Sequence, residues 1–303
     1  MMRSYLLVVA ALIGFLGLCF PAFAQGNNAG QEKTSPQRIV TVGAPATEIV
    51  YALGAGGNVV AVDVTSTWPE DVQALPRVGY MRTLAAEGIV SLRPDMVIAI
   101  AESGPVEALD RLRELGVAVV LLPPLNRIEN LPEAIDTVAS ALGRDEAGAK
   151  LRQKVESDIT AIHALAGAEN SGKGKTGTHE NIVFLMSVGH GQPMSAGQNT
   201  TANEIIELVG GENPMATYEG FKPVSPEIIA ANRADYVLVT SSTLDQLGGI
   251  SGLKASPVLG LHPAIARGHV LSVSASTILG FGPRSADEIR QIASRLHQFE
   301  GDQ

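Results

Sequence analysis

From Arg38 onward the chain alternates short, β-branched apolar runs with stretches in which apolar residues recur every three or four positions. Runs of the first kind read as buried parallel strands, and stretches of the second kind as amphipathic helices packed on them. Strands are predicted at Arg38–Val42, Val59–Asp63, Met96–Ile100 and Val117–Leu122. Between them lie a helix over Pro45–Leu53 with Thr47 as its N-cap, a helix over Leu84–Val90, and a helix over Val106–Leu115 closed by Gly116. The glycines at Gly54, Gly56 and Gly57 follow a helix instead of joining a strand to one, which speaks against a phosphate-cradling loop. From Leu131 the pattern becomes helical over Leu131–Leu142 and then over the long amphipathic Asp145–Leu165. Ala166–Glu180, rich in Gly, Lys and Ser, reads as a solvated loop. Alternation resumes with strands at Asn181–Met186, Tyr236–Thr240 and His269–Val273, and helices at Ala202–Val209, Ser225–Ala231 and Ser285–Phe299. The map is an α/β lobe, a long helix and a second α/β lobe, each lobe with a mainly parallel sheet covered on both sides.

Composition narrows the function. With 303 residues, 45% hydrophobic and 17% charged, the chain is globular and long enough for two domains. Arg3, the apolar run Leu6–Phe20 and Ala22-Phe23-Ala24 form the pattern of a secretory signal peptide cleaved after Ala24, with Gln25–Gln37 as a flexible leader. A membrane anchor is the weaker reading, because the run stops at Pro21 short of a bilayer's thickness. The single cysteine, Cys19, falls inside that signal; a lipoprotein would keep it, but bulky Leu18 stands where a small residue is preferred. The expected mature product therefore has neither disulfide nor thiolate chemistry. Loss of Arg3 takes the net charge from −9 to −10, which argues against nucleic-acid binding through phosphates.

One loop carries candidate chemistry. Val78-Gly79-Tyr80-Met81-Arg82 follows Pro76 and places a phenol two residues from a guanidinium. A loop tyrosine can reach a ligand that a strand tyrosine would bury, and a nearby cation favours a phenolate. A phenolate is a hard anionic donor for ferric iron and one of the side chains that serve as an axial haem ligand. Tyr80 with a surface arginine beside it is equally compatible with simple packing.

Four stretches, Arg38–Gly54 (RIVTVGAPATEIVYALG), Glu87–Asp95 (EGIVSLRPD), Thr200–Asn213 (TTANEIIELVGGEN) and Ser225–Asp235 (SPEIIAANRAD), resemble the helical-backbone (class III) substrate-binding proteins of bacterial ABC importers across essentially the whole mature chain. Within that group Val78–Gly88 (VGYMRTLAAEG), Ser195–Thr200 (SAGQNT), Gly220–Ser225 (GFKPVS) and Leu279–Arg284 (LGFGPR) look most like the periplasmic haem-binding proteins. The resemblance implies two Rossmann-like α/β lobes (38–143 and 181–303) joined by a single backbone helix (144–167), a loop at 168–180, and a ligand cleft between lobes. It implies a monomeric periplasmic transport protein, not an enzyme. Ferric haem b would be its cargo, received in some systems downstream of an outer-membrane haem receptor and delivered to an inner-membrane permease and its ATPase. Tyr80 would be the axial iron ligand, with Arg82 and Met81 supporting it and Met194 also able to touch the ring. Glu87 and Glu227 match the acids that dock on the permease; as helix-start acids they would also be favoured by the helix dipole. His190 is the candidate second ligand and Arg284 a candidate propionate contact, although Arg284 could equally cap the closing helix or make a salt bridge. An arginine expected in the second lobe near Thr240–Thr243 is missing.

The alternatives are a cobalamin or ferric-siderophore binder of the same class, and a haem- or metal-processing enzyme on the same scaffold. Only 4% of residues are aromatic, which with Tyr80 favours haem over the first. His163, His179, His190, His262, His269 and His297 show no metal-ligand spacing, which disfavours the second; His163 and His297 read as residues of solvated helix faces.

Overall fold

A computed structural model describes residues 36–172, 180–186 and 192–301. The first lobe runs β1 (Ile39–Val42), α1 (Ala44–Ala52), β2 (Val59–Val62), α2 (Ala86–Ser91), β3 (Met96–Ala99), α3 (Val106–Glu114) and β4 (Ala118–Leu121). Its strands are all parallel in the order β2-β1-β3-β4. Every residue of β1 is buried, as expected of a central strand covered on both faces. The start of the β1–β3 pair is locked by Asp95, whose carboxylate accepts the backbone N–H groups of Gln37 and Arg38 at 2.9 Å each.

Thr47 is not an N-cap. Helix α1 starts one turn earlier, with Gly43 at the N-cap, and the Thr47 hydroxyl is buried within 2.7 Å of both the Thr41 and Ser66 hydroxyls. Pro45 in the first turn sets the helix in place without needing that cap.

α4 (Leu131–Leu142) ends at Gly143, whose φ of 64° and N–H bonds back to the α4 carbonyls of Ala139 and Ser140 make a left-handed helix stop. The connecting helix α5 then spans Asp145–Gly172, running through the first part of the stretch expected to be loop. At 1.5 Å per residue its 28 residues reach roughly 42 Å. Val155 belongs to the core of the first lobe and Ile162, two turns on, to the core of the second, with Ile159 against both. Ion pairs fix the helix on each side: Arg152 with Asp136 of α4 at 2.7 Å, and Asp158 with Arg290 at 3.1 Å.

The second lobe runs β5 (Ile182–Met186), β6 (Met194–Ala196), α6 (Thr201–Leu208), β7 (Phe221–Pro223), α7 (Pro226–Ala231), β8 (Tyr236–Thr240), α8 (Ser241–Leu247), α9 (Gly249–Ala255), α10 (Pro263–Arg267), β9 (Val270–Val273), α11 (Ala275–Ile278) and α12 (Ser285–Gly301). Its sheet order is β7-β6-β5-β8-β9. β5, β8 and β9 are parallel, whereas β6 and β7 are antiparallel additions that the sequence pattern did not predict. Asp235 repeats the role of Asp95, accepting the N–H of Asn181 at 2.9 Å where β5 begins beside β8. Both lobes belong to one compact unit, Ser35–Gln303. The architecture is two α/β lobes on a shared helical spine.

Candidate functional site

The loop that carries Tyr80 is held at both ends. Val62 donates to the Pro76 carbonyl at 3.1 Å, Val78 to Val62 at 3.0 Å and Val64 to Gly79 at 2.9 Å, so the chain lies along the end of β2. Gly79, at φ 94°, then turns it in a conformation that other residues rarely adopt. Beyond the turn, Met81 and Leu84 exchange backbone bonds with Gly104 at 2.9 Å, and Thr83 donates to the Tyr80 carbonyl at 2.9 Å. Tyr80 is left at the apex, 39% exposed.

Met81 does not support a ligand directly. Its side chain is fully buried in the core of the first lobe and lies away from the cleft wall, because the turn that lifts Tyr80 outward points its neighbour inward. Burying a methionine contributes about 1.5–3 kcal/mol, which anchors the loop from below.

Tyr80 and Arg82 open into a cavity of ≈ 720 Å³ between the lobes. The first lobe adds Glu102, and Asn126 joins it from the segment between β4 and α4. The opposite wall has an apolar and a polar part. Met194 lines it beside Met186, its cross-strand partner in the β5–β6 pair. Phe221 completes that side and packs edge-on to the core residue Phe184, with ring centres 6.0 Å apart. Ile278 and Leu279 of the α11 region add aliphatic surface. Hydroxyls and amides from Asn199, Thr200, Thr201, Thr240, Ser242 and Gln246 form the polar part, most of them at the starts of α6 and α8. Thr200 and Thr240 also cap those helices, accepting the N–H of Asn203 at 3.1 Å and of Thr243 at 3.2 Å.

Arg82 is exposed and makes no ion pair or hydrogen bond with another described residue. It and Glu102 are the charged side chains of the described lining. Among the described lining residues these two charges cancel, and the Arg82 guanidinium has no ionic partner among them. Among the described residues no cluster of three or more His, Cys, Asp or Glu is placed to hold a metal ion. The hard oxygen donors of the described lining are the Tyr80 phenol and the Glu102 carboxylate.

Other expected site residues are elsewhere. Arg284 does not line the cavity; it reaches Glu288 at 3.3 Å and Glu48 at 3.7 Å, and its guanidinium sits 4.6 Å over the Trp68 ring. Those two carboxylates and the indole occupy the group expected to meet a propionate. His190 lies outside the described residues. Glu87 and Glu227 are exposed in the first turns of α2 and α7. The Ser225 hydroxyl and the helix-start N–H hold Glu227 below the usual carboxylate range. His163 is half-exposed on α5 and meets Glu129 at 3.2 Å.

Asn126, Gln246 and Met186 are wall residues that sequence reasoning missed. Only Met186 left a signal: it ends a β-branched run with a second methionine eight residues on, a spacing that a tight antiparallel return would pair.

The family model described as "Periplasmic binding protein" matches residues 39–277. Among solved structures, the chain is similar to the periplasmic heme-binding protein RhuT from Roseiflexus sp. RS-1 in apo form, with 34% identity, a TM-score of 0.77, and coverage of 86% of this chain and 98% of that one. It is similar to the periplasmic heme-binding protein BhuT in complex with two hemes, at 34% identity and a TM-score of 0.75 over 87% of this chain and 98% of the other. The vitamin B12-binding protein of Vibrio parahaemolyticus is 23% identical over 87% of this chain and 90% of its own length. Such proteins bind and hand over a substrate without transforming it, so the chain is a binding protein, not an enzyme. It belongs to the periplasmic binding protein family.

Proposed function

We propose that the chain captures ferric haem in the interlobe cleft, with Tyr80 as the iron ligand, and delivers it to an ABC permease. The observation that carries the reading is an exposed phenol at the apex of an anchored turn, beside an unpaired arginine, at the mouth of a ≈ 720 Å³ cavity. A cleft of that volume is in the range that holds a large organic ligand. Haem matches its chemistry part by part. Met186, Met194, Phe221 and Ile278 offer a polarisable apolar wall for the flat ring, and thioethers favour aromatic faces. Arg82 would pair one propionate, while Ser242, Gln246 and Asn199 offer hydroxyl and amide groups for the other. A hard phenolate prefers ferric over ferrous iron, so reduction weakens the bond.

Delivery uses Glu87 and Glu227, one exposed acid on each lobe, as contacts for basic residues of the permease. Residues 1–24 direct export, and the mature chain begins at Gln25 in the periplasm as a monomer. N-terminal sequencing of the secreted product checks the cleavage point.

The deciding experiment is a hemin titration of the wild type and of Tyr80→Phe, followed by visible absorption, with cyanocobalamin in parallel. Saturation at one equivalent with a phenolate-to-iron charge-transfer band, lost in the variant, is the expected result. Absence of saturation by hemin in the wild type overturns the haem reading, and saturation by cyanocobalamin replaces it with a corrinoid one.

A further inference from the structure

β3 is an inner strand of the first sheet, and its C-terminal end delivers the chain to the cleft. Just beyond it the Ser103 N–H donates back to the Ile100 carbonyl at 3.0 Å, closing a tight turn with Ala101 and Glu102 at its tip. Ile100 and Ser103 are buried, whereas Glu102 is exposed. Gly104, one residue further, donates to the Met81 carbonyl, and its own carbonyl accepts the Leu84 N–H, at 2.9 Å each. The turn of Glu102 is thereby stitched to the turn of Tyr80 on both sides of Arg82. Phenol, guanidinium and carboxylate share one backbone mount, whose buried feet are Met81, Leu84 and Ser103.

On that mount Arg82 and Glu102 stay apart. Both line the cavity and both are exposed, yet no ion pair joins them, and the side chain of neither bonds to another described residue. The described lining of the second lobe answers with neutral groups such as Asn199, Ser242 and Gln246. A free carboxylate in a cleft for an anionic ligand works against binding unless it faces a part of the ligand without negative charge. The first-lobe wall therefore has a polarity, positive at Arg82 and negative at Glu102. Haem has one to match: both propionates leave one edge of the ring, and the opposite edge carries none.

We propose that Glu102 is a specificity-determining residue that sorts the edges of a porphyrin. With Arg82 it turns the carboxylate edge to one side of the cleft, and it repels rings that carry carboxylates on both. The inference rests on the haem reading and adds to it the class of ring accepted, a ferric porphyrin with its carboxylates on a single edge. Because Glu102 is solvated, the repulsion is moderate and screened by salt.

Hemin and ferric coproporphyrin III provide the test. They share iron and ring, but the second carries four propionates, spread over both edges. Each is titrated by visible absorption into the mature wild type, Glu102→Gln and Glu102→Asp, at about 25 mM and about 150 mM salt. The wild type is expected to hold hemin at least about 10-fold tighter than the coproporphyrin at the lower salt. Glu102→Gln should tighten the coproporphyrin by about 5- to 10-fold while moving hemin by less than about 2-fold. Glu102→Asp should keep the wild-type preference, and that preference should narrow at the higher salt. A merely structural role would shift both ligands by a common factor and displace the phenolate-to-iron band, which a selective shift leaves in place. The proposal is overturned if Glu102→Gln keeps the wild-type ratio of the two affinities, if the wild type takes both rings equally, or if salt leaves the preference untouched. Failure of the wild type to bind hemin removes the haem reading together with this one, whereas a saturable hemin titration with an unchanged ratio removes this one alone.

Discussion

In the first lobe four parallel strands suffice, none of the helices α1 to α4 has a side-chain cap, and the segment reaching the cleft is pinned by a buried methionine. In the second lobe two antiparallel strands extend the sheet, and α6, α7, α8 and α11 each begin at a Thr or Ser that accepts a backbone N–H. The plan is common, as the equivalent positions of Asp95 and Asp235, Glu87 and Glu227, and Glu48 and Glu204 show. The finish differs on the faces that meet in the cleft. One lobe presents a phenol on an anchored turn with Arg82 and Glu102 in the same lining, and the other presents a broad surface of thioethers, ring edges and hydroxyls. On the proposed reading, a directional bond to iron needs a rigid mount and a flat apolar ligand needs area, and the asymmetry divides those tasks.

Removing a core ring from the second lobe should have the largest effect. Phe184→Ala is expected to cost about 3–5 kcal/mol in urea unfolding, and because α5 serves both cores the loss should appear as one earlier transition instead of two separate ones. Met81→Ala in the first lobe sharpens the contrast. About 2–5 kcal/mol of stability should go, and hemin affinity should fall with it, because Tyr80 loses its anchor, whereas Phe184→Ala should leave the affinity of the folded fraction near that of the wild type. Next comes Tyr80→Phe, with at least about 100-fold weaker hemin binding, close to 2.8 kcal/mol, and no change in unfolding midpoint. A smaller effect is expected for Thr200→Ala, about 1 kcal/mol from the lost cap, read by the same unfolding assay; no first-lobe helix offers a matching substitution. Smallest of all are Glu87→Gln and Glu227→Gln, each within about 0.5 kcal/mol of wild type in stability and unchanged in hemin affinity. Both should reduce uptake in reconstituted vesicles carrying the permease.

Strands such as β1 and β8 were legible because their fully buried β-branched runs have no other use, and α4 because glycine marks its stop. β6 and β7 were not, since three residues each fall below any window in which alternation can be counted. Thr47 precedes Glu48 in what passes for a helix start, yet its hydroxyl is claimed by Thr41 and Ser66, partners that only folding brings near. Tyr80 stood out by its place between a turn and an arginine. The opposite fate of Met81 did not, because an irregular loop has no period from which to read inward and outward. For Arg284 the sequence leaves a propionate contact, a helix cap and a salt bridge open, and the structure makes the salt bridge. Its partner Glu48 lies more than two hundred residues away, and nothing local records that the pair exists.

The turn that sinks Met81 and raises Tyr80 also bears on time. A donor already standing at its working position needs no rearrangement before or after an encounter. On the proposed reading, capture is a single collision step: in stopped-flow mixing the observed rate climbs in proportion to hemin concentration without reaching a plateau, and its slope, not a conformational delay, sets how fast the protein can clear its compartment.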